Sequence, residues 1–239
     1  MRKTNQRMDK DIIAKIKKEA KVQRDALQQG IYKVINPFVR FLIRMRFTPN
    51  IVTTIGLIGN AAAAALIFYA GNKTEGIYRP DYMLILISGI LIVAFSLFDM
   101  LDGQVARLGN MTTRFGALYD SVLDRYCELM MFGSISYYLL MAGSPAGALI
   151  AFLALMGSLM VSYVRARTEG IGLECKIGFM QRPERVVVTA AALLATGIAG
   201  ECSSSFDANI ILIVAMAVIA VFANLTAIAR LVYSQHQLK

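Results

Sequence analysis

Residues 98–126 read FDMLDGQVARLGNMTTRFGALYDSVLDRY, and this stretch constrains the fold more than any other. Asp99 and Asp102 are three positions apart, and Asp120 and Asp124 are four apart. On helices those intervals put each pair on one face. Four carboxylates then come from two neighbouring segments with apolar sequence on either side. Buried together without partners, they would repel and cost several kcal/mol each. Clustered oxygen ligands are what a hard divalent cation such as Mg2+, Mn2+ or Ca2+ takes, and such an ion removes the conflict. The fold must therefore bring two helices together around an acidic cluster in an apolar setting.

That setting is a membrane. The chain of 239 residues is 56% hydrophobic, with a mean hydropathy of +0.55. This is too apolar for an ordinary soluble domain and long enough for several spans. A formal net charge of +9 fits a nucleic acid or a membrane surface. Hydropathy decides for the membrane and against nucleic acid. There is no Trp, and one His, His236, sits in the polar tail. A histidine metal site or a Ser-His-Asp triad is thereby nearly excluded. Cys127, Cys175 and Cys202 are far apart without a C-x2-C spacing, which argues against zinc. The polar, charged first thirty or so residues do not read as a cleavable signal peptide.

Taken in order, residues 1–47 read as a cytoplasmic amphipathic segment and 48–239 as one membrane domain. Ile31, Val34, Ile35, Phe38, Phe41, Leu42 and Met45 form an apolar stripe, with Lys33, Arg40, Arg44 and Arg46 beside it. Such a helix can lie in the headgroup layer or pack on the protein's own inner face. Thr48-Pro49-Asn50 suits a helix start, with Thr48 or Asn50 as cap. Six spans follow: 51–70, 82 to about 107, 115–141, 146 to about 164, 182 to about 200, and 208 to about 232. The fold class expected is an all-α integral membrane protein, six transmembrane helices preceded by an N-terminal juxtamembrane helix. Of the basic residues, only Lys73 and Arg79 fall in the loops opposite the termini. The excess of positive charge on the other side places both termini and the aspartate motif in the cytoplasm. For a bacterial cell this is the inner membrane.

The spacing D-x2-D-G-x2-A-R-x8-G-x3-D-x3-D resembles the signature of the CDP-alcohol phosphotransferases, with every specified position matched by Asp99, Asp102, Gly103, Ala106, Arg107, Gly116, Asp120 and Asp124. Eight fixed residues give a chance match on the order of 10^-10 per starting position. The TPNIVTTIG stretch is similar to the start of that family's first membrane helix. The resemblance implies a site for one or two Mg2+ or Mn2+ ions on Asp99, Asp102, Asp120 and Asp124. It implies that Asp124 is also the general base that takes the proton from an attacking hydroxyl. It implies a site for a CDP-linked substrate at Pro49, Asn50, Thr53, Asp99, Asp102, Gly103, Ala106, Arg107, Thr113 and Gly116. Residues 112 and 113 are both Thr in the turn between the Asp pairs; Thr113 is favoured for the nucleotide, and a plain helix cap serves equally. Gly103 lets a nucleotide approach the backbone, Arg107 can bind phosphate bidentately, and close helix packing accounts equally well for Ala106.

A membrane location suggests that the CDP-linked substrate is CDP-diacylglycerol and the acceptor a water-soluble alcohol. Arg165, Arg182, Arg185 and Arg230 fall at the cytoplasmic ends of three spans, as expected for a cluster converging on an acceptor phosphate. Arg167 points elsewhere. Snorkelling to headgroups is the alternative for such arginines. SYVRARTEG followed by RPERVV resembles the corresponding stretch of the bacterial phosphatidylinositol-phosphate synthases within this family. The resemblance implies transfer of a phosphatidyl group to inositol 1-phosphate with release of CMP, and a homodimer. Glycerol 3-phosphate, giving phosphatidylglycerophosphate, is the rival acceptor. Aspartates in a helix bundle also occur in ion and proton transporters, but transport gives no reason for the Gly103, Ala106, Arg107 and Gly116 spacing.

Overall fold

A computed structural model describes residues 35–73, 80–175, 177–202 and 207–238. Among the described residues the chain is entirely helical. A first segment, α1, is helical over residues 35–44. It is followed by α2 (Pro49–Lys73), α3 (Tyr82–Leu108), α4 (Arg114–Met141), α5 (Pro145–Gly170), α6 (Arg182–Cys202) and α7 (Asn209–Gln237). Residues 1–34, to which most of the expected amphipathic helix belongs, lie outside the described residues, as does Arg79.

Five of these helices, α2, α3, α5, α6 and α7, are long and apolar enough to cross a membrane. The chain is a membrane protein, all-helical over the described residues. α4 has the length at 28 residues, but Asp120, Asp124, Arg125 and Glu128 put four charges between its start and its middle. Its buried stripe runs Asp124, Glu128, Met131, Ile135, Tyr138, steps of three and four that keep one face inward. That stripe turns from carboxylate to apolar with depth.

The helices start and stop where local chemistry dictates. Thr48 Oγ1 accepts from the Ile51 amide at 3.4 Å, with Pro49 first in α2. Asp81 caps α3 through the Leu84 amide at 3.3 Å and binds Lys73 Nζ at 2.9 Å. Thr113 caps α4, accepting from the Gly116 amide at 2.9 Å. Ser144 caps α5 just before Pro145. α3 runs straight through the motif to Leu108, so Asp99 and Asp102 sit in its last turns.

α2 packs on α3 and α4, α3 on α6, α4 on α5, and α5 and α6 on α7. The helices alternate in direction, so the starts of α2, α4 and α6 share one end with the finishes of α3, α5 and α7. Close approach depends on small residues. A Cβ at Gly197 of α6 would lie 2.7 Å from the Leu86 backbone of α3. The outward surface stays apolar, with Ile58, Leu149, Phe152, Leu225 and Ile228 all exposed, as a lipid-facing surface requires. α1 crosses the motif end: Val39 and Leu42 are buried with Val52, Leu101 and Val105, while Phe38, Phe41 and Met45 face outward. The apolar stripe read as one face of 31–47 thus divides between protein and surroundings.

Candidate active site

The aspartates come together at the end shared by the starts of α2, α4 and α6. One carboxylate oxygen each from Asp99, Asp120 and Asp124 lies within 4.8 Å of the other two. Asp99 arrives on α3, and Asp120 and Asp124 arrive one turn apart on α4. Asp124 is buried, and Asp99 and Asp120 are half-buried. Three hard oxygen donors at this separation fit a divalent cation such as Mg2+ or Mn2+.

Asp102 stands apart from this trio. It is buried and its Oδ2 accepts from Thr53 Oγ1 at 2.6 Å. Three residues on a helix leave the two side chains about 60° apart, enough for Asp102 to bond Thr53 of α2 while Asp99 meets Arg182 of α6.

Two cavities flank the cluster, and Asp120 lines both. The first, of about 240 Å³, is walled by Pro49, Asn50 and Thr53 of α2, by Asp102, Gly103, Ala106 and Arg107 of α3, and by Thr113 and Gly116 at the start of α4. Every residue expected at the CDP-linked substrate lines it except Asp99, which belongs to the cluster behind. Thr112 lines it too. Thr113 serves both readings, capping α4 and facing the cavity. A Cβ at Gly103 would meet nothing nearer than Arg107 Nη2 at 3.5 Å. Helix packing therefore does not require glycine there, whereas a ligand pressed against the backbone would. At Gly116 a Cβ would come 3.0 Å from Thr113 Oγ1 and crowd the cap.

The second cavity, of about 450 Å³, is walled by Asp120, Asp124, Arg125, Arg165, Arg182, Arg185 and Arg230, among others. The four arginines expected at an acceptor phosphate therefore meet on one side of the cluster, and Arg167 does not join them. Their situations differ. Arg165 is half-exposed and pairs with Glu169 at 2.9 Å. Arg182 reaches the cluster itself, with Nη1 2.5 Å from Asp99 Oδ2 and Nη2 2.7 Å from Asp124 Oδ1. Arg185 is fully buried; Nη2 donates to Glu128 Oε1 at 2.5 Å and Nη1 to the Met180 carbonyl at 2.9 Å. Arg230 is also buried, donating to the carbonyls of Ile177 and Val161, each at 2.7 Å.

Glu128 went unread in the sequence. It is 1% exposed, one turn below Asp124, and it anchors Arg185 while lying 3.6 Å from Arg125 Nε. The signal was there: Asp120, Asp124 and Glu128 recur every fourth residue, an acidic line along one helix face. Arg125, next along the chain, lies 3.5 Å from Asp124 Oδ2.

A helical membrane bundle with a carboxylate cluster able to take a divalent cation beside two cavities at one end suits metal-assisted chemistry on a membrane-borne substrate. The sequence model of the CDP-alcohol phosphatidyltransferases matches residues 46–228, and the chain belongs to that family. A phosphatidylinositol phosphate synthase of Mycobacteroides abscessus is 32% identical over 166 residues, 69% of this chain and 70% of that one. One of Cutibacterium acnes is 33% identical over 171 residues, 71% and 77% of the two chains. Among solved structures, the phosphatidylinositol phosphate synthase of Mycobacterium tuberculosis with CDP-DAG bound superposes with a TM-score of 0.71 at 27% identity, covering 84% of this chain and 94% of that one. The same enzyme in complex with manganese and citrate gives a TM-score of 0.70 at 28% identity, over 83% and 88%.

Proposed function

We propose that this protein transfers the phosphatidyl group of CDP-diacylglycerol to inositol 1-phosphate, producing phosphatidylinositol phosphate and CMP. The observation that carries the reading is the arginine-lined cavity beside the carboxylate cluster, which shares Asp120 with the cavity built by the motif. An in-line displacement needs nucleophile and leaving group on opposite sides of the reacting phosphorus. Two cavities that meet at Asp120 leave room for that arrangement, and the names of the relatives support the choice of substrates.

Asp99, Asp120 and Asp124 would hold one or two divalent ions, with Asp102 completing the acidic set from the nucleotide side. When bound, the metal neutralises charge on the pyrophosphate. The residues of the chain do the rest. Gly103 and Ala106 let the nucleotide approach α3, Asn50, Thr53 and Thr113 offer polar contacts, and Arg107 takes a phosphate. Arg165, Arg182, Arg185 and Arg230 give the second cavity a positive lining that attracts the acceptor's phosphate. Asp124, which lines that second cavity, accepts the proton of the acceptor hydroxyl. The hydroxyl oxygen bonds to the phosphorus bearing diacylglycerol, the bond from that phosphorus to the bridging oxygen breaks, and CMP leaves.

The wider reading has α4 as a sixth span, residues 1–47 as a juxtamembrane segment at the cytoplasmic headgroup layer, both termini and the site in the cytoplasm, and a homodimer as the family resemblance implies. Purified protein incubated with CDP-diacylglycerol, Mg2+ and each candidate alcohol tests the reaction. Inositol 1-phosphate should give a phosphatidylinositol phosphate and stoichiometric CMP. Preference for unphosphorylated inositol would remove the argument from the arginines. Preference for glycerol 3-phosphate would keep the phosphate pocket and change the product.

A further inference from the structure

Arg182 reaches oxygens of two of the three carboxylates that could hold a divalent cation. Its Nη1 donates to Asp99 Oδ2 at 2.5 Å and its Nη2 to Asp99 Oδ1 at 3.1 Å, while Nη2 also lies 2.7 Å from Asp124 Oδ1. Asp99 and Asp124 are two of the three clustered carboxylates. A carboxylate lone pair that accepts an N–H cannot at the same time face an ion at about 2.0–2.1 Å. A doubly charged ion beside a guanidinium also repels it. At Asp99, whose two oxygens both accept from Arg182, the cation and the guanidinium compete for the carboxylate, and at Asp124 they compete through charge.

A second observation says where the displaced side chain goes. Arg182 also lines the 450 Å³ cavity, together with Arg165. It is the first residue of α6, at the end of the connecting stretch after α5. The two buried arginines of that cavity are tied to groups outside the carboxylate trio: Arg185 to Glu128 and the Met180 carbonyl, Arg230 to the carbonyls of Ile177 and Val161. Arg182 instead spends its terminal nitrogens on the metal-binding carboxylates, and its Nε is buried without a hydrogen-bond partner.

We infer that Arg182 is an exchangeable positioning residue. It neutralises Asp99 and Asp124 until a divalent cation takes their oxygens, and it then swings into the adjoining cavity to receive the acceptor's phosphate. Metal and acceptor consequently strengthen each other's binding, by the same factor in each direction. The acceptor half rests on the function proposed above; the competition with the cation does not.

The test is equilibrium Mn2+ binding to the purified full chain in lipid nanodiscs, read from the electron spin resonance of free Mn2+. Wild type, Arg182→Gln, Arg182→Lys and Arg165→Gln are compared with and without inositol 1-phosphate. Without acceptor, Arg182→Gln should bind Mn2+ more tightly than wild type, by roughly tenfold within the 5–150-fold range common for coupled sites. Arg182→Lys, which keeps the charge and loses the fork, should show a smaller gain, and it carries the test if the Gln variant does not fold. Arg165→Gln, whose partner is Glu169, should leave Mn2+ affinity alone. Wild-type or weaker Mn2+ affinity in the folded Arg182 variants overturns the competition. Inositol 1-phosphate should tighten Mn2+ on wild type and on Arg165→Gln at higher acceptor concentration, and not on Arg182→Gln. If the Arg182 variants bind Mn2+ more tightly but neither inositol 1-phosphate nor glycerol 3-phosphate affects wild type, the exchange with the acceptor is wrong. If only glycerol 3-phosphate acts, the exchange stands and the acceptor proposed above is the part that fails.

Discussion

Four aspartates of identical chemistry are set apart by their neighbours. Asp99, Asp120 and Asp124 converge within 4.8 Å, whereas Asp102 is turned to Thr53 on the nucleotide side. Chelation should abolish turnover, and Mg2+ or Mn2+ should restore it. Asp99→Asn and Asp120→Asn should each lose nearly all activity together with Mn2+ binding, since removing one hard ligand leaves its neighbours repelling; full activity of either variant in chelator would refute the assignment. Asp124→Asn should retain much of its CDP-diacylglycerol binding and lose kcat by on the order of 10²–10⁴-fold if proton transfer is its main task. Binding and single-turnover measurements on the same preparation separate the two, and a comparable loss of nucleotide binding would make Asp124 chiefly a ligand. The positions of these residues were legible because motif spacing maps directly onto helix faces. The split between Asp102 and the trio was not, because spacing gives the angle along one helix and not the identity of the helix opposite.

At the scale of elements, polar side chains extend the helices beyond where hydropathy ends them. The fourth expected span, closed at about residue 164, continues to Gly170, and the sixth, closed at about 232, continues to Gln237. Both overruns are polar, and they are stabilised by each other: Thr168 Oγ1 and Ser234 Oγ share a hydrogen bond at 3.0 Å, and Arg165 pairs with Glu169 one turn on. His236, read as part of a solvated tail, is exposed as expected but lies within α7. The most deeply buried ion pair among the described residues is Glu128–Arg185, which joins α4 to the start of α6 and, through Met180, to the preceding loop. Both partners are essentially inaccessible. Breaking such a pair from one side costs about 3–5 kcal/mol, because a buried charge is left alone, while replacing both by apolar residues is often neutral. Glu128→Gln and Arg185→Gln should therefore each lower the melting temperature markedly, and Glu128→Leu/Arg185→Met should recover much of the loss. A double replacement as damaging as the sum of the two single ones would show that the pair is not coupled.

For the whole molecule, the alternation of helices assigns every functional group to one end. The cluster, both cavities and the arginines lie where α2, α4 and α6 begin and α3, α5 and α7 finish. The two other cysteines fall at that same end: Cys175, buried, in the stretch between α5 and α6, and Cys127, half-buried, beside Asp124. Cys202 closes α6 at the opposite end and is exposed. In the orientation proposed above, which follows the charge rule, the arginine-rich end faces the cytoplasm and Cys202 the outer side. A membrane-impermeant maleimide added to intact cells should label the protein at Cys202, and Cys202→Ser should lose that label. Inverted vesicles should reverse the result, labelling Cys202 only after permeabilisation. Efficient labelling of Cys202 in sealed inverted vesicles would turn the molecule over. The aspartate cluster would then face away from the compartment that holds CMP, and the proposed reaction would lose its supply of activated substrate.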